Sequence, residues 1–408
     1  MKQRRQEAKD KHRHSKKARP GRFAMVATTL QGLEEVLARE LSSIGANDVK
    51  PARRAVHFTA DKDLIYKSNL RLRTALRVLK PLRHFKAADE DALYTGAKAI
   101  AWTELFSVEK TFAVKSTVSG ELHRHSHYAA LKVKDAIVDQ FRDVQGSRPN
   151  VDIKQPDVVV HVKIHRSDVW ISLDSSGRTL NMRGYRAREA KAPLNECLAA
   201  GMLMLGGYEG KTAFVDGMCG SGTLAIEAAM IAMKIAPGLM RKDFAFMHWK
   251  DFDAELFDII REASVQRITE PAHPIVALDI DIHAARMAKE SVERAQLSDV
   301  ITVSHGDFFG YSPPPAPGFL VLNPPYGERL HDRDLEGLYK RIGDKLKADF
   351  TGYRAWILSG NREAMFALSL RSFISHHLLN GGIECRYSGF QLYKGSREPN
   401  TRNEEKRV

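Results

Sequence analysis

The residues best placed to do chemistry in this chain fall at the ends of apolar runs. "FVDGMCGSGTLAIEAA" reads as a strand, a glycine-rich turn and a helix. Gly217, Gly220 and Gly222 let the backbone bend sharply and approach a ligand without a Cβ in the way. Thr223 opens the helix, whose N-terminus favours negative charge. Gly220-Ser221-Gly222 followed by Ala225 fits the dinucleotide-binding form. Two features argue against a dinucleotide. Asp216 at the strand end would repel a pyrophosphate, yet it could accept from an ammonium group. The next strand-end acid, Asp279, lies 57 residues beyond Gly222, not the roughly 20 of a Rossmann dinucleotide site. An adenosyl ligand with no phosphates and a cationic amino-acid half suits the set better, which is S-adenosyl-L-methionine. Asp279, ending "IVALDI", could take both ribose hydroxyls. Asp307, ending "ITVSHGD", could accept from the adenine amino group with Phe308 against the ring. Met218 sits within the same turn and belongs to the candidate cofactor set.

A second constellation, Asn323-Pro324-Pro325-Tyr326, succeeds the apolar run "FLVL". Two prolines cannot donate to a sheet, so they end the strand and stiffen the chain beyond it. Counted from the glycine loop's own strand, this is the fourth strand. Ligands of open α/β sheets bind at that carboxyl edge. An exocyclic amine on a nucleobase is a weak nucleophile, because its lone pair is delocalised into the ring. The Asn323 side-chain oxygen and the Pro324 carbonyl could both accept from such an amine and aim its lone pair at a methyl donor. Tyr326 offers an aromatic face to a base turned out of its stack. The same shelf serves adenine N6 and guanine N2.

Elements must bring these residues together. From residue 194 onward, apolar strands alternate with helices, the rhythm of a doubly wound, mostly parallel sheet. The first 180 residues read differently. "RFAMVAT", "AVHFTA" and "RVLKPLRHF" alternate as strands around the helical patterns "LQGLEEVLARELSSIGA" and "DLIYKSNLRLRTA", a small ferredoxin-like α/β sandwich. In the first helix Leu33, Val36, Leu37, Leu41 and Ile44 form the apolar stripe, with Gly45 as C-cap. A second α+β module comes next. It includes "HYAALKVKDAIVDQFRD", with Leu131, Ile137, Val138 and Phe141 expected inward, and the hairpin "DVVVHVKIHRSDVWISLDSSG". Basic side chains surround these lines. Lys115, Arg124, Lys132, Lys134, Lys163, His165 and Arg166 form a candidate RNA platform, and Arg183 and Arg186 in the connector join the candidate RNA contacts.

Composition narrows the classes. The 408 residues are 43% hydrophobic, enough for two or three cored domains. No apolar run reaches the ~18 residues of a membrane span, and the polar start is no signal peptide. Three cysteines without a C-x-x-C spacing suit a reducing cytoplasm rather than a disulfide framework or a zinc site. His123, His125 and His127 have no acids or thiols clustered with them in sequence, so no metal is expected. The net charge is +13, of which residues 1–22 carry +8. That basic tail has nothing to bury and suits phosphate contacts.

"DGMCGSGTLAIEAAMIAMKIAPGLMR", "LNPPYGERL", "RGYR" with "APLNECLAA", and "YKSNLRLRTALRVL" resemble the bacterial THUMP-domain class I RNA methyltransferases, nearest to the first half of the large-subunit rRNA guanine-N2 enzymes of RlmL type. The resemblance covers about residues 23–395. It implies a basic tail at 1–22, a ferredoxin-like domain at 23–84, a THUMP RNA-binding domain at 85–180, a Rossmann-like methyltransferase domain at 186–395 and a tail at 396–408. It also implies S-adenosyl-L-methionine at Asp216, Gly220, Gly222, Asp279 and Asp307, with the target amine held by Asn323, Pro324, Pro325 and Tyr326. The expected partner is 23S rRNA or a large-subunit precursor, methylated at guanine N2. Three other readings remain open: an adenine-N6 methyltransferase on RNA or DNA, a non-catalytic RNA-binding assembly factor, and an NAD(P) enzyme.

Overall fold

The computed structural model describes residues 21–119, 126–186, 194–325 and 335–394. Period-two alternation in the front part builds one sheet from β1 (Phe23–Thr29), β2 (Asn47–Ala52), β3 (Ala55–Ala60), β4 (Ala75–Lys86), β5 (Phe112–Ser119), β6 (Val158–His165) and β7 (Asp168–Asp174). Its order is β2-β3-β1-β4-β7-β6-β5. Only β5–β6 runs parallel among these pairs. The two front modules separated by their sequence patterns therefore share a sheet. The 12-residue β4 makes this possible: its first half pairs with β1 and most of its length with β7. β2 was not legible, being a polar edge strand containing Pro51.

Helices Glu34–Ser43, Lys62–Arg71, Glu90–Lys98 and Ser126–Gln145 pack over the inward residues of this sheet, among them Met25, Phe58, Val162 and Ile171. Asp61 and Asp89 cap the second and third of these by accepting from Leu64 and Ala92 amides. Gly45 succeeds the first helix at φ +96°, as its C-cap role requires. In the fourth helix Ile137, Val138 and Phe141 are buried, but Leu131 is exposed. It stands two residues, about 200° of helical turn, from the buried Val133, and so points outward.

The rear sheet contains β8 (Ala213–Asp216), β9 (Ile275–Asp279), β10 (Ile301–His305), β11 (Gly318–Leu322), β12 (Tyr353–Ser359), β13 (Ile374–Asn380) and β14 (Ile383–Gln391). Its order is β10-β9-β8-β11-β12-β14-β13. The first five are parallel, while β14 runs antiparallel to both neighbours. This is the doubly wound sheet expected, with a C-terminal hairpin added. The winding reverses between β8 and β11, so the glycine-loop strand and the Asn323 strand are neighbours, with Val321 opposite Asp216. A crevice must open at that switch point.

Front and rear are joined through their interiors. Ala236, Phe244, Phe246, Trp249, Phe257 and Ile260 belong by position to the rear half, yet they pack in the front core. Tyr66 packs against Phe246 with the ring centroids 4.7 Å apart and the planes tilted by 32°. A buried polar network backs this seam. Arg73 donates to the Met230 and Ile235 carbonyls at the C-terminal end of helix Thr223–Ala232. Arg183 pairs with Glu227 and donates to the Leu180 and Arg73 carbonyls. Arg183 is 1% exposed, so its expected place among the RNA contacts is corrected: this guanidinium neutralises a buried carboxylate.

Candidate active site

The turn after β8 is shaped by what a side chain would strike. A Cβ on Gly217 would lie 2.5 Å from a Phe308 ring carbon, whereas at Gly220 it would meet nothing within 4 Å. Gly220 and Gly222 adopt φ +54° and +77°, where glycine is favoured. Gly222 stands directly before helix Thr223–Ala232. The turn is pinned from the side, because the Gly220 amide donates to Asp279 Oδ2 at 2.8 Å and the Cys219 amide to the Leu278 carbonyl. The other Asp279 oxygen accepts from the Asp281 amide. Asp279 thus orients the loop and keeps further lone pairs for a ligand. Asp307 accepts from the Phe309 amide and caps the 3₁₀ turn Phe308–Gly310.

Asp216 is the electrostatic centre. It is fully buried, and among the described residues neither carboxylate oxygen has a hydrogen-bond partner. Burial pushes its pKa up to about 8, with the Asp279 charge adding to the shift and the nearby Met218 amide opposing it. The chain leaves this carboxylate without a cationic partner beside a ligand-sized space, where an incoming cation would stabilise it. Burial also holds the Cys219 thiol far above its usual range, so it is no thiolate nucleophile.

At the tip of β11, Asn323 Oδ1 is likewise buried without a hydrogen-bond partner among the described residues. Pro324 is buried and Pro325 exposed. Tyr326 lies outside the described residues, as do His123, Arg124 and His125. Among the described residues no His, Cys, Asp and Glu group is arranged to hold a metal ion, and no helix is long and apolar enough to cross a membrane.

One cavity of about 1080 Å³ gathers the set: its walls include Met218, Gly220, Thr223, Asp279, Asp307, Phe308, Asn323, Pro324 and Pro325. Asp216 is not part of the lining but directly precedes the lining Gly217. Phe308 belongs to the wall, but its ring is 2% exposed and stacks on Phe350. The half-buried neighbour Phe309 also lines the cavity and carries the Arg341 guanidinium 3.8 Å over its ring. Sequence reasoning missed Arg341 and two further contributors, Leu30 from the front domain and the Asn380-Gly381-Gly382 tip of the β13–β14 hairpin. The "NGG" in that tip is a two-residue hairpin signal that could have been found. Arg186 is engaged with Glu196 and the Leu194 carbonyl. Lys132 faces Glu90 at 3.8 Å, and Lys134 pairs with Asp135.

Comparison with known proteins accords with this geometry. Residues 183–389 match the RMKL-like methyltransferase domain, residues 87–174 the THUMP domain and residues 24–79 the RlmL ferredoxin-like domain. A Synechocystis sp. protein named "Putative RNA methyltransferase slr0064" is 38% identical over 369 residues, covering 90% of this chain and 96% of that relative. The solved structure of "SMU.472, a putative methyltransferase complexed with SAH" superposes with a TM-score of 0.85 at 27% identity, covering 93% of this chain and 100% of that one. A Listeria monocytogenes structure described as "a predicted N6-adenine-specific DNA methylase" gives 0.81 at 26% identity over 91% of this chain and 96% of its own. The chain belongs to the RMKL-like methyltransferase family, with an RlmL-type ferredoxin-like domain and a THUMP domain ahead of its Rossmann-like methyltransferase domain.

Proposed function

We propose that the protein transfers a methyl group from S-adenosyl-L-methionine to the exocyclic N2 amine of a guanine in 23S rRNA or a large-subunit precursor. The observation that carries this reading is the pair of orphaned oxygen acceptors on adjacent strands, the Asp216 carboxylate and Asn323 Oδ1. One suits a cation and the other an NH₂ group, and a single cavity runs beside both. The residues fit the donor: the open Gly220 backbone admits it, Asp216 attracts its ammonium half, and Asp279 and Asp307 offer acceptors for hydroxyl and amino groups.

When bound, S-adenosyl-L-methionine supplies an electrophilic methyl on a sulfonium. The chain's own contribution is positioning and electrostatics. Asn323 Oδ1 and the Pro324 carbonyl accept from the target amine and draw its lone pair out of ring conjugation. The two prolines fix those acceptors before substrate arrives. No strong base is needed, because the nitrogen becomes acidic once alkylated. The THUMP domain and the named RNA methyltransferase relative support RNA as the substrate class.

Guanine is preferred through the RlmL-type front domain. Adenine N6 is the second reading, favoured by the description of the Listeria relative. Incubating rRNA from a deletion strain with labelled donor and the purified protein, then analysing nucleosides by mass spectrometry, tests both. N2-methylguanosine is expected. N6-methyladenosine would move the assignment to adenine, and the absence of any methylated nucleoside would return the protein to a binding role.

A further inference from the structure

The front sheet has a second face. Its helices cover the side lined by Val160, Ile164, Val169 and Ile171. On the other side, β6, β7 and β4 carry a row across three strands, with Lys163 opposite Trp170 and Trp170 opposite His84. The His84 and Trp170 rings lie parallel, 7° apart in plane with centroids 4.7 Å apart. Lys163 Nζ stands 5.9 Å from the centre of the Trp170 ring. A contact of 3.1 Å between His84 Nε2 and Asp168 Oδ1 orients the imidazole.

Such a stack has no structural task in a core, for His84 is exposed and Trp170 half-buried. The other three tryptophans, Trp102, Trp249 and Trp356, are all buried. The stretch of β4 containing His84 pairs with β7 but lies beyond the part paired with β1, so among the described residues no strand pairs on its far side. Lys86, Lys163 and His165 surround the rings, with Asp168 the nearby acid. Aromatic planes on the middle strands of an open sheet, ringed by bases, are what unpaired nucleotides need: faces for stacking and cations for phosphates. Duplex RNA would present no free base to the rings.

We propose that this face binds a single-stranded stretch of the substrate RNA, with Trp170 and His84 as its stacking platform. The inference rests on the RNA methyltransferase reading and specifies where the RNA docks. Of the basic platform expected from the sequence it keeps Lys163 and His165 and sets aside Lys132 and Lys134, whose helix lies on the covered side of the sheet and whose charges already face Glu90 and Asp135. β4 leads from His84 back to Ala75, directly after the Arg73–Thr74 corner that anchors the glycine-loop helix.

Trp170 supplies its own reporter, since the three buried tryptophans give a constant background. The full-length protein is titrated with a fluorescein-labelled, mixed-sequence 12-nucleotide single-stranded RNA. Anisotropy is monitored on the label, and tryptophan emission with the unlabelled strand. Donor affinity is measured separately by calorimetry. Quenching that saturates with the anisotropy is expected. Trp170→Ala should weaken binding about tenfold and abolish the quench, and Trp170→Phe should recover most of the affinity. Donor affinity and melting temperature should stay unchanged in both. RNA binding that is equally tight in Trp170→Ala and leaves wild-type emission unaltered would overturn this surface while leaving the enzymatic reading intact. Failure of the wild-type protein to bind RNA at all, with donor binding retained, would overturn both and place the fault in the choice of substrate.

Discussion

Asp216 has a cost that is measurable without substrate. Its carboxyl titrates near 8 in the folded chain against an ordinary 3.8. Between those values the folded, donor-free protein holds a proton that the unfolded chain has released. Its stability contribution is therefore lost as pH rises through that window and levels off above about 8. Asp216→Asn should remove this slope, and urea melts at pH 5, 6.5 and 8 measure it. The same carboxylate must ionise to accept a cation, so wild-type donor affinity should rise about tenfold per pH unit below pH 8. A donor affinity flat from pH 6 to 8 would separate Asp216 from the ligand. Asn323 predicts the complementary behaviour. Asn323→Ala should lower kcat by roughly 10²–10³ with donor affinity changed less than about threefold, a split resolved by calorimetry beside a methyl-transfer assay. Equal loss of donor binding would remove Asn323 from the acceptor side.

At the scale of elements, the turn after β8 is set by contacts on its outer side. Gly217→Ala would drive a methyl against the Phe308 ring and Leu322. Overpacking of this kind costs about 1–3 kcal/mol, and displacing Phe308 disturbs the wall beside Asp307. A lowered melting temperature together with weaker donor binding is expected. Normal donor binding at reduced stability would show that the wall adapts. Arg183→Met should destabilise by about 3–5 kcal/mol, because it strips the buried Glu227 of its guanidinium partner and leaves the Tyr185 hydroxyl as its donor; denaturant unfolding reads this directly. The strand-end acids and the proline shelf were legible because short apolar runs name a buried parallel strand and its end. Arg183 was not, because its partner Glu227 is 44 residues away and a basic connector reads the same whether solvated or buried. The β13–β14 hairpin was overlooked because polar residues such as His376, His377 and Arg386 interrupt its alternation. Phe308 and Phe309 could not be ranked, since neighbouring aromatics divide between core and cavity only when Phe350 is placed behind one of them.

Across the whole molecule, charge and core obey different divisions of the chain. Residues 1–22 carry +8 of the +13. Deleting them should flatten the dependence of log RNA affinity on log salt by roughly 0.7–0.9 for each phosphate that the tail would otherwise neutralise. Titrations between 50 and 300 mM KCl test this, and an unaltered slope would make the tail a bystander. The order of modules was readable from the change in hydrophobic period near residue 190. Their shared interior was not, since nothing in "FAFMHWKDFDAELF" states that its rings belong under a distant sheet. That arrangement limits how the protein can be cut or inherited. An isolated fragment beginning near residue 183 would turn Phe244, Phe246, Trp249 and Phe257 out into water and would be expected to aggregate. Recombination at that boundary would succeed only if a new front half brought a matching socket for those rings.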